Sequence, residues 1–138
     1  LEDGYLLDTG SPHYVSFVRE LEQMDVAREG YKLRHDNRFG QGGVNVNFVE
    51  RGIDSGEIQV RTFERGVEAE TWSCGTGVTA AAITTFFHTG TDNQSYKVHT
   101  RGGKLEVSFK ARSTKEFTDI YLRGPASHVY DGTIEIAV

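Results

Sequence analysis

The sequence predicts an α+β domain in which many short strands, mostly antiparallel, curl in a barrel-like sheet around one apolar helix. Three observations predict it. Residues 78–88, VTAAAITTFFH, contain neither glycine nor proline and are apolar or small almost throughout, the pattern of a buried helix. Residues 43–49 and 57–64 alternate apolar and polar side chains with period two, as half-buried strands do. The chain holds 16 glycines but only 2 prolines, a composition that supplies many tight turns without interrupting strand ladders.

The elements follow in order. Residues 6–15 read as strand, turn and strand, with Pro12 pushing Ser11 towards an extended conformation. A helix is expected over 26–35, then a polar loop over 36–42. The strand 43–49 and the strand 57–64 form a hairpin around the Asp54-Ser55-Gly56 turn. Threonines within 78–88 lower its intrinsic helix propensity, so burial must hold that helix, and Gly90 is placed to cap it. Strands over 96–100, 105–110, 117–122 and 133–138 complete the sheet, with Gly102-Gly103 turning between the first two. No long linker, internal repeat or low-complexity stretch divides residues 1–138, which read as a single domain.

Composition excludes several functions. A domain of about this size buries roughly 68–70% of its unfolded surface, enough for a substantial core. Fifteen basic against 20 acidic residues give a net charge of −5, and the basic residues form no cluster or stripe, so no nucleic-acid partner is expected. No apolar run approaches a membrane span. The single cysteine permits no internal disulfide, which fits a reducing, cytoplasmic setting. The five histidines show no ligand spacing such as His-x-x-x-His, so no metal is expected. Leu1-Glu2-Asp3 opens without methionine, which raises the expectation of a fragment of something longer.

That cysteine, Cys74, lies in Ser73-Cys74-Gly75-Thr76-Gly77, immediately ahead of the apolar helix. A free thiol is by default a small buried hydrophobe. At a helix N-terminus it instead meets unpaired N–H groups and the positive end of the dipole, which favour the thiolate. The flanking glycines let a small anion approach the same backbone.

Four segments carry a family resemblance: Thr9-Gly10-Ser11-Pro12-His13, Gly43-Val44-Asn45-Val46-Asn47-Phe48, Arg61-Thr62-Phe63-Glu64-Arg65-Gly66 and Cys74-Gly75-Thr76-Gly77. In this order and at this spacing the chain resembles diaminopimelate epimerase, and Gly124-Pro125-Ala126 and Val129-Tyr130-Asp131-Gly132 are similar to the family's C-terminal end. The resemblance implies the second half of a two-domain, pseudo-symmetric epimerase fold. The N-terminal half, with its own Cys-Gly-Asn-Gly stretch and the second cysteine, is then the missing partner, and the full-length enzyme is a candidate homodimer.

The resemblance implies an isomerase of amino-acid biosynthesis that interconverts L,L- and meso-2,6-diaminopimelate without pyridoxal phosphate, metal or other cofactor. One thiolate removes the α-proton while a thiol on the opposite face returns one. It makes Cys74 catalytic, with Glu64 poising the thiol and His13 acting beside it. Glu64 and Arg65 contact substrate, Arg65 suiting a carboxylate and Glu64 an ammonium. Asn45 binds the distal amino-carboxylate end, and Gly75 and Thr76 hold the carboxylate. Without the family, Glu64 and Arg65 would be solvent-facing charges at a strand end, His13 a turn histidine, and Asn45 a solvent-side strand residue. Gly75 and Thr76 would shape the helix start, with Thr76 capping it. Asn47 shares a face with Asn45 but is assigned nothing by the motif and is read as structural. Ser11 departs from the family's asparagine, so its substrate contact is lost or replaced through water.

Two alternatives stay open. The proline racemase and hydroxyproline epimerase group also uses two cysteines, although its second one follows a proline whereas Cys74 follows Ser73. The isolated domain, inactive alone, could also be a binding scaffold.

Overall fold

The structure, a computed structural model, describes residues 4–137. Ten elements follow in chain order: β1 (Gly4–Asp8), β2 (Pro12–Phe17), α1 (Val26–Arg34), β3 (Asn45–Arg51), β4 (Glu57–Glu64), β5 (Ala69–Thr71), α2 (Gly75–Thr89), β6 (Ser95–Thr100), β7 (Gly103–Ala111) and β8 (Phe117–Arg123). Single 3-10 turns at Leu21–Gln23 and Asn37–Phe39 flank α1. The strands form one curled sheet in the order β1-β2-β3-β4-β6-β7-β8, with β5 paired to β4. This is the curled, mostly antiparallel α+β sheet expected, closing a half-barrel, with two parallel pairings within it. β2 runs parallel to β3 and β4 parallel to β6, and each parallel pair is joined by a crossover that contains a helix, as parallel pairing requires.

The helix α2 fills the concave face. Val78, Ala80, Ala81, Ala82 and Ile83 are buried against Val15, Val49, Ile58, Val60, Tyr96, Val98 and Val107. Alanines let the backbone approach the sheet closely. Buried Thr84 and Thr85 would each carry an orphaned hydroxyl, but they bond the carbonyls of Ala80 and Ala81 one turn back, both at 2.7 Å. Burial therefore does hold this helix despite its threonines. Gly90, at φ 62°, ends it in the left-handed conformation, and its N–H bonds the Phe86 carbonyl.

On the opposite face, α1 starts at Asp25, whose carboxylate accepts from the Arg28 N–H at 3.0 Å. Its buried residues Val26, Gly30 and Leu33 recur at helical spacing. They face the second core of Tyr14, Val46, Phe48 and Phe63. Alternation thus splits β3: Val46 and Phe48 point to α1, while Val49 and its period-two partners Asn45 and Asn47 take the α2 side. Each fully buried Val, Ile or Phe contributes about 1.5–3 kcal/mol.

One expected strand is not formed. Residues 124–137 carry neither helix nor strand, and Val129, Tyr130, Ile134 and Ile136 are exposed. The alternation over 133–137 is compatible with a strand, but a strand exists only against a partner, and no described strand pairs with this segment. Val138 lies outside the described residues, as do Leu1, Glu2 and Asp3.

Candidate active site at the start of the central helix

Three neighbouring strands and the α2 N-terminus converge on one spot. The β2–β3 register sets His13 opposite Asn45, and the β3–β4 register sets Asn47 opposite Thr62. Cys74 is the N-cap of α2, with extended backbone (φ −130°, ψ 109°) and a half-buried side chain that makes no capping bond. The sulfur is not sealed in the core. The first helical N–H to find a carbonyl one turn back is that of Val78, 2.8 Å from the Cys74 oxygen. The N–H groups of Gly75, Thr76 and Gly77 therefore open from the helix end, the arrangement that receives a carboxylate.

Thr76 does not cap the helix as the sequence suggested, because it lies inside the first turn rather than ahead of it. Its hydroxyl instead meets His13 Nε2 at 2.9 Å and Cys74 Sγ at 3.6 Å. Its carbonyl accepts from the Thr9 hydroxyl at 2.8 Å, which ties the β1–β2 turn to the helix start. Gly77 has a strict steric reason: a Cβ there would collide with Asn47 Oδ1. Gly77→Ala should lower stability by about 1–3 kcal/mol, the usual cost of overpacking, and reduce activity with it. Denaturant unfolding checks this, and an unchanged midpoint would contradict the contact.

His13 is fully buried. Burial pushes it down from 6.5 to about 4; Asp8 opposes that shift and Arg65 adds to it. The imidazole is neutral near neutrality. The unfolded chain binds the extra proton between pH 6.5 and 4, so stability falls as pH drops through that window and levels below it. The contribution is on the order of 3 kcal/mol. Unfolding curves at pH 7 and pH 5 should show a steeper acid loss for the wild type than for His13→Gln, and parallel losses would refute the assignment.

Asn45 is buried and nearly saturated. Its amide donates to Ser11 Oγ at 2.8 Å and to the Pro12 carbonyl at 3.1 Å, and its oxygen accepts from the Arg65 N–H at 2.9 Å. One side chain thus binds the Ser11 turn to the Glu64-Arg65 corner. The side chains of Glu64 and Arg65 are half-buried, and neither makes a hydrogen bond or ion pair with any described residue. Nearby charges behave differently: Arg61 and Glu70 form a two-point pair at 2.6 and 2.8 Å, and Arg34 bonds Glu68 at 3.0 Å. All eight residues singled out in the sequence sit within or beside this linked group: Ser11, His13, Asn45, Glu64, Arg65, Cys74, Gly75 and Thr76.

Three residues near the site have no role assigned by the sequence motifs. Asn47, expected to be structural on the face it shares with Asn45, is fully buried against His13 and Thr62. Leu122, 45% exposed, packs against Gly75 at the helix start, and Trp72, 75% exposed, lies two residues before Cys74. Neither the groove of about 980 Å³ between β1 and β8 nor the cavity of about 650 Å³ near Arg19 and Arg51 includes Cys74. Among the described residues no three His, Cys, Asp or Glu side chains gather into a metal-holding group, and no helix is long and apolar enough to cross a membrane.

Comparison with known proteins bears on the chain as a whole. The family model for diaminopimelate epimerase matches residues 5–129. The diaminopimelate epimerase of Flavobacterium psychrophilum is 45% identical over 97% of this chain and 52% of its own length. That of Chlorobaculum tepidum is 41% identical over 96% of this chain and 50% of its own. The chain spans about half the length of the curated relatives it matches. Among solved structures, a predicted epimerase of Pseudomonas aeruginosa superposes with a TM-score of 0.58 at 20% identity, over 78% of this chain and 35% of the other. A phenazine biosynthesis protein of the PhzF family from Enterococcus faecalis gives 0.55 at 17% identity, over 72% and 34%. These two likenesses speak for the fold alone.

Proposed function

We propose, from the premise that this chain belongs to the diaminopimelate epimerase family, that it supplies one catalytic face of a two-base, cofactor-independent epimerase acting on 2,6-diaminopimelate. The observation that carries the reading is the half-buried Cys74 sulfur at the mouth of α2, beside three N–H groups with no partner among the described residues and hydrogen-bonded through Thr76 to a neutral histidine. A substrate α-carboxylate received by the N–H groups of Gly75 and Thr76 sets its α-carbon before the sulfur. The thiolate form of Cys74 takes the α-proton, and charge developing towards the carboxylate is met by the helix-end N–H groups. In the opposite direction the protonated sulfur returns a proton to that face.

Inversion needs a second acid on the other face, since one fixed base tends to restore the original configuration. The chain's coverage of about half the relatives' length and the exposed Leu122 against Gly75 support an opposing domain that closes over this site. The side chains of Arg65 and Glu64, without a hydrogen-bond or ion-pair partner among the described residues, suit the distal carboxylate and ammonium, with Asn45 holding that corner in place. Ser11 lies within the same hydrogen-bonded turn and meets substrate through its hydroxyl or a bridging water.

The decisive measurement is solvent deuterium uptake into diaminopimelate and into proline, using a protein that carries both halves. Uptake at the α-carbon of diaminopimelate with interconversion of the L,L and meso forms is expected, and uptake into proline alone would overturn the substrate. The 138-residue chain by itself should show no interconversion.

A further inference from the structure

We propose that Asn47 locks His13 as a neutral Nε2–H donor and thereby turns the Thr76 hydroxyl onto the Cys74 sulfur. The inference rests on the reading of Cys74 as the proton carrier and adds the device that orients its donor. The direction of every bond in the group follows from one acceptor that cannot be reversed. The Tyr14 carbonyl has no hydrogen to give, and it lies 3.2 Å from Asn47 Nδ2. The amide nitrogen must therefore face it, and the amide oxygen must face Thr62, whose hydroxyl donates to it at 2.9 Å.

That orientation places the same Nδ2 3.0 Å from His13 Nδ1. A proton on Nδ1 would set one N–H against another, so Nδ1 accepts and the ring proton resides on Nε2. Nε2 is 2.9 Å from Thr76 Oγ1 and donates to it. Having accepted there, the Thr76 hydroxyl directs its own hydrogen elsewhere, and Cys74 Sγ lies 3.6 Å away. A hydroxyl aimed at the sulfur gives its hydrogen bond to the atom that abstracts the proton.

Burial removes the escape routes. His13 and Asn47 are fully buried and Thr62 is 3% exposed, so water cannot take over a reversed bond among these three. The charged groups that act on the imidazole are Asp8 of β1, which favours its protonation, and Arg65 beyond β4, which opposes it; burial outweighs Asp8. Gly77, which packs directly on Asn47, lets the helix start sit close enough for the contact. With the opposite imidazole tautomer the Thr76 hydroxyl would be drawn to Nε2 and turned from the sulfur. Asn47 and Thr62 are thus positioning residues, acting through His13 and Thr76 without touching substrate.

The test uses the 138-residue chain, whose one cysteine makes the chemistry site-specific. In ¹⁵N spectra of histidine-labelled protein, His13 should show an unprotonated Nδ1 and a protonated Nε2 at every pH from 6 to 8, which needs no variant. A proton on Nδ1 at pH 7 would sink the proposal. Asn47→Asp, which has no N–H to give, should place a proton on Nδ1, and persistence of the unprotonated Nδ1 would count against the lock. Carbamidomethylation of Cys74 at pH 7 should slow about three- to tenfold in Thr76→Val and stay near the wild-type rate in Thr76→Ser, as expected for one hydrogen bond to the reactive form. Equal rates in all three would remove the hydroxyl from the sulfur's environment. The readings fail separately: absent deuterium uptake by the two-domain protein defeats the epimerase assignment with the His13 spectrum unchanged, whereas a protonated Nδ1 with uptake intact defeats only the lock.

Discussion

Replacing Cys74 with alanine in a protein that carries both halves should stop interconversion of L,L- and meso-diaminopimelate while leaving one-sided proton exchange. General-base removal costs about 10²–10⁴-fold, and with the opposing acid intact that whole loss falls on inversion. Under the proposed two-base mechanism the base of the other half would still labilise the proton from its own face, so deuterium should continue to enter one stereoisomer without net epimerisation. The comparison separates a catalytic sulfur from a structural one: Cys74 is half-buried and caps nothing, so its truncation opens little core. Stability should therefore change by less than about 1 kcal/mol. Following deuterium content and stereoisomer ratio in the same reaction checks both halves of the result. An alanine variant that still epimerises at the wild-type rate would take Cys74 out of the mechanism.

The largest stability effect is expected at Glu70, in the short strand beside the site. Arg61 is 8% exposed and is held by both Glu70 carboxylate oxygens, with further bonds to the carbonyls of Leu21 and Met24. Burial raises the Glu70 carboxyl, yet its bonds to Arg61 and Arg101 outweigh that and hold it below the usual range. Glu70→Ala leaves a buried guanidinium without its counter-charge and should cost about 3–5 kcal/mol, whereas the paired change Arg61→Met with Glu70→Leu should cost far less. Because the carboxyl is held low, the pair's contribution is present above the ordinary carboxylate range and is lost as pH falls through its folded value. Urea midpoints of the three proteins at pH 7 and pH 4 test this; a single variant within about 0.5 kcal/mol of wild type would show that the pair is solvated. The consequence reaches the site, because β4 carries Arg61, Thr62 and Glu64 in succession.

Some of this was open to reading in the chain and some was not. The apolar run ahead of Gly90, the period-two strands and the glycine turns are local patterns, and each produced the element it suggested. Arg61 was invisible as a core residue, since an arginine in an alternating strand reads as solvent-facing until Glu70 and the Leu21 turn are folded against it. The 133–137 segment misled for the same reason, its pattern being right for a strand that finds no partner among the described residues. Thr76 kept its place in the motif but exchanged a local capping role for a bond to His13, 63 positions away.

The sequence by itself determined the family, the helix that carries Cys74, and which residue types stand at its mouth, because these depend on order and spacing along one chain. Only the tertiary structure decided who bonds to whom: that Asn45 joins Ser11 to Arg65, that Asn47 reaches His13, and that Arg61 is sealed by Glu70. Those pairings are made between strands and across the sheet, where curvature and burial select the partner. Hydrogen-bond direction in particular has no trace in the order of residues, since it is set by which acceptor, here the Tyr14 carbonyl, is closed off from water.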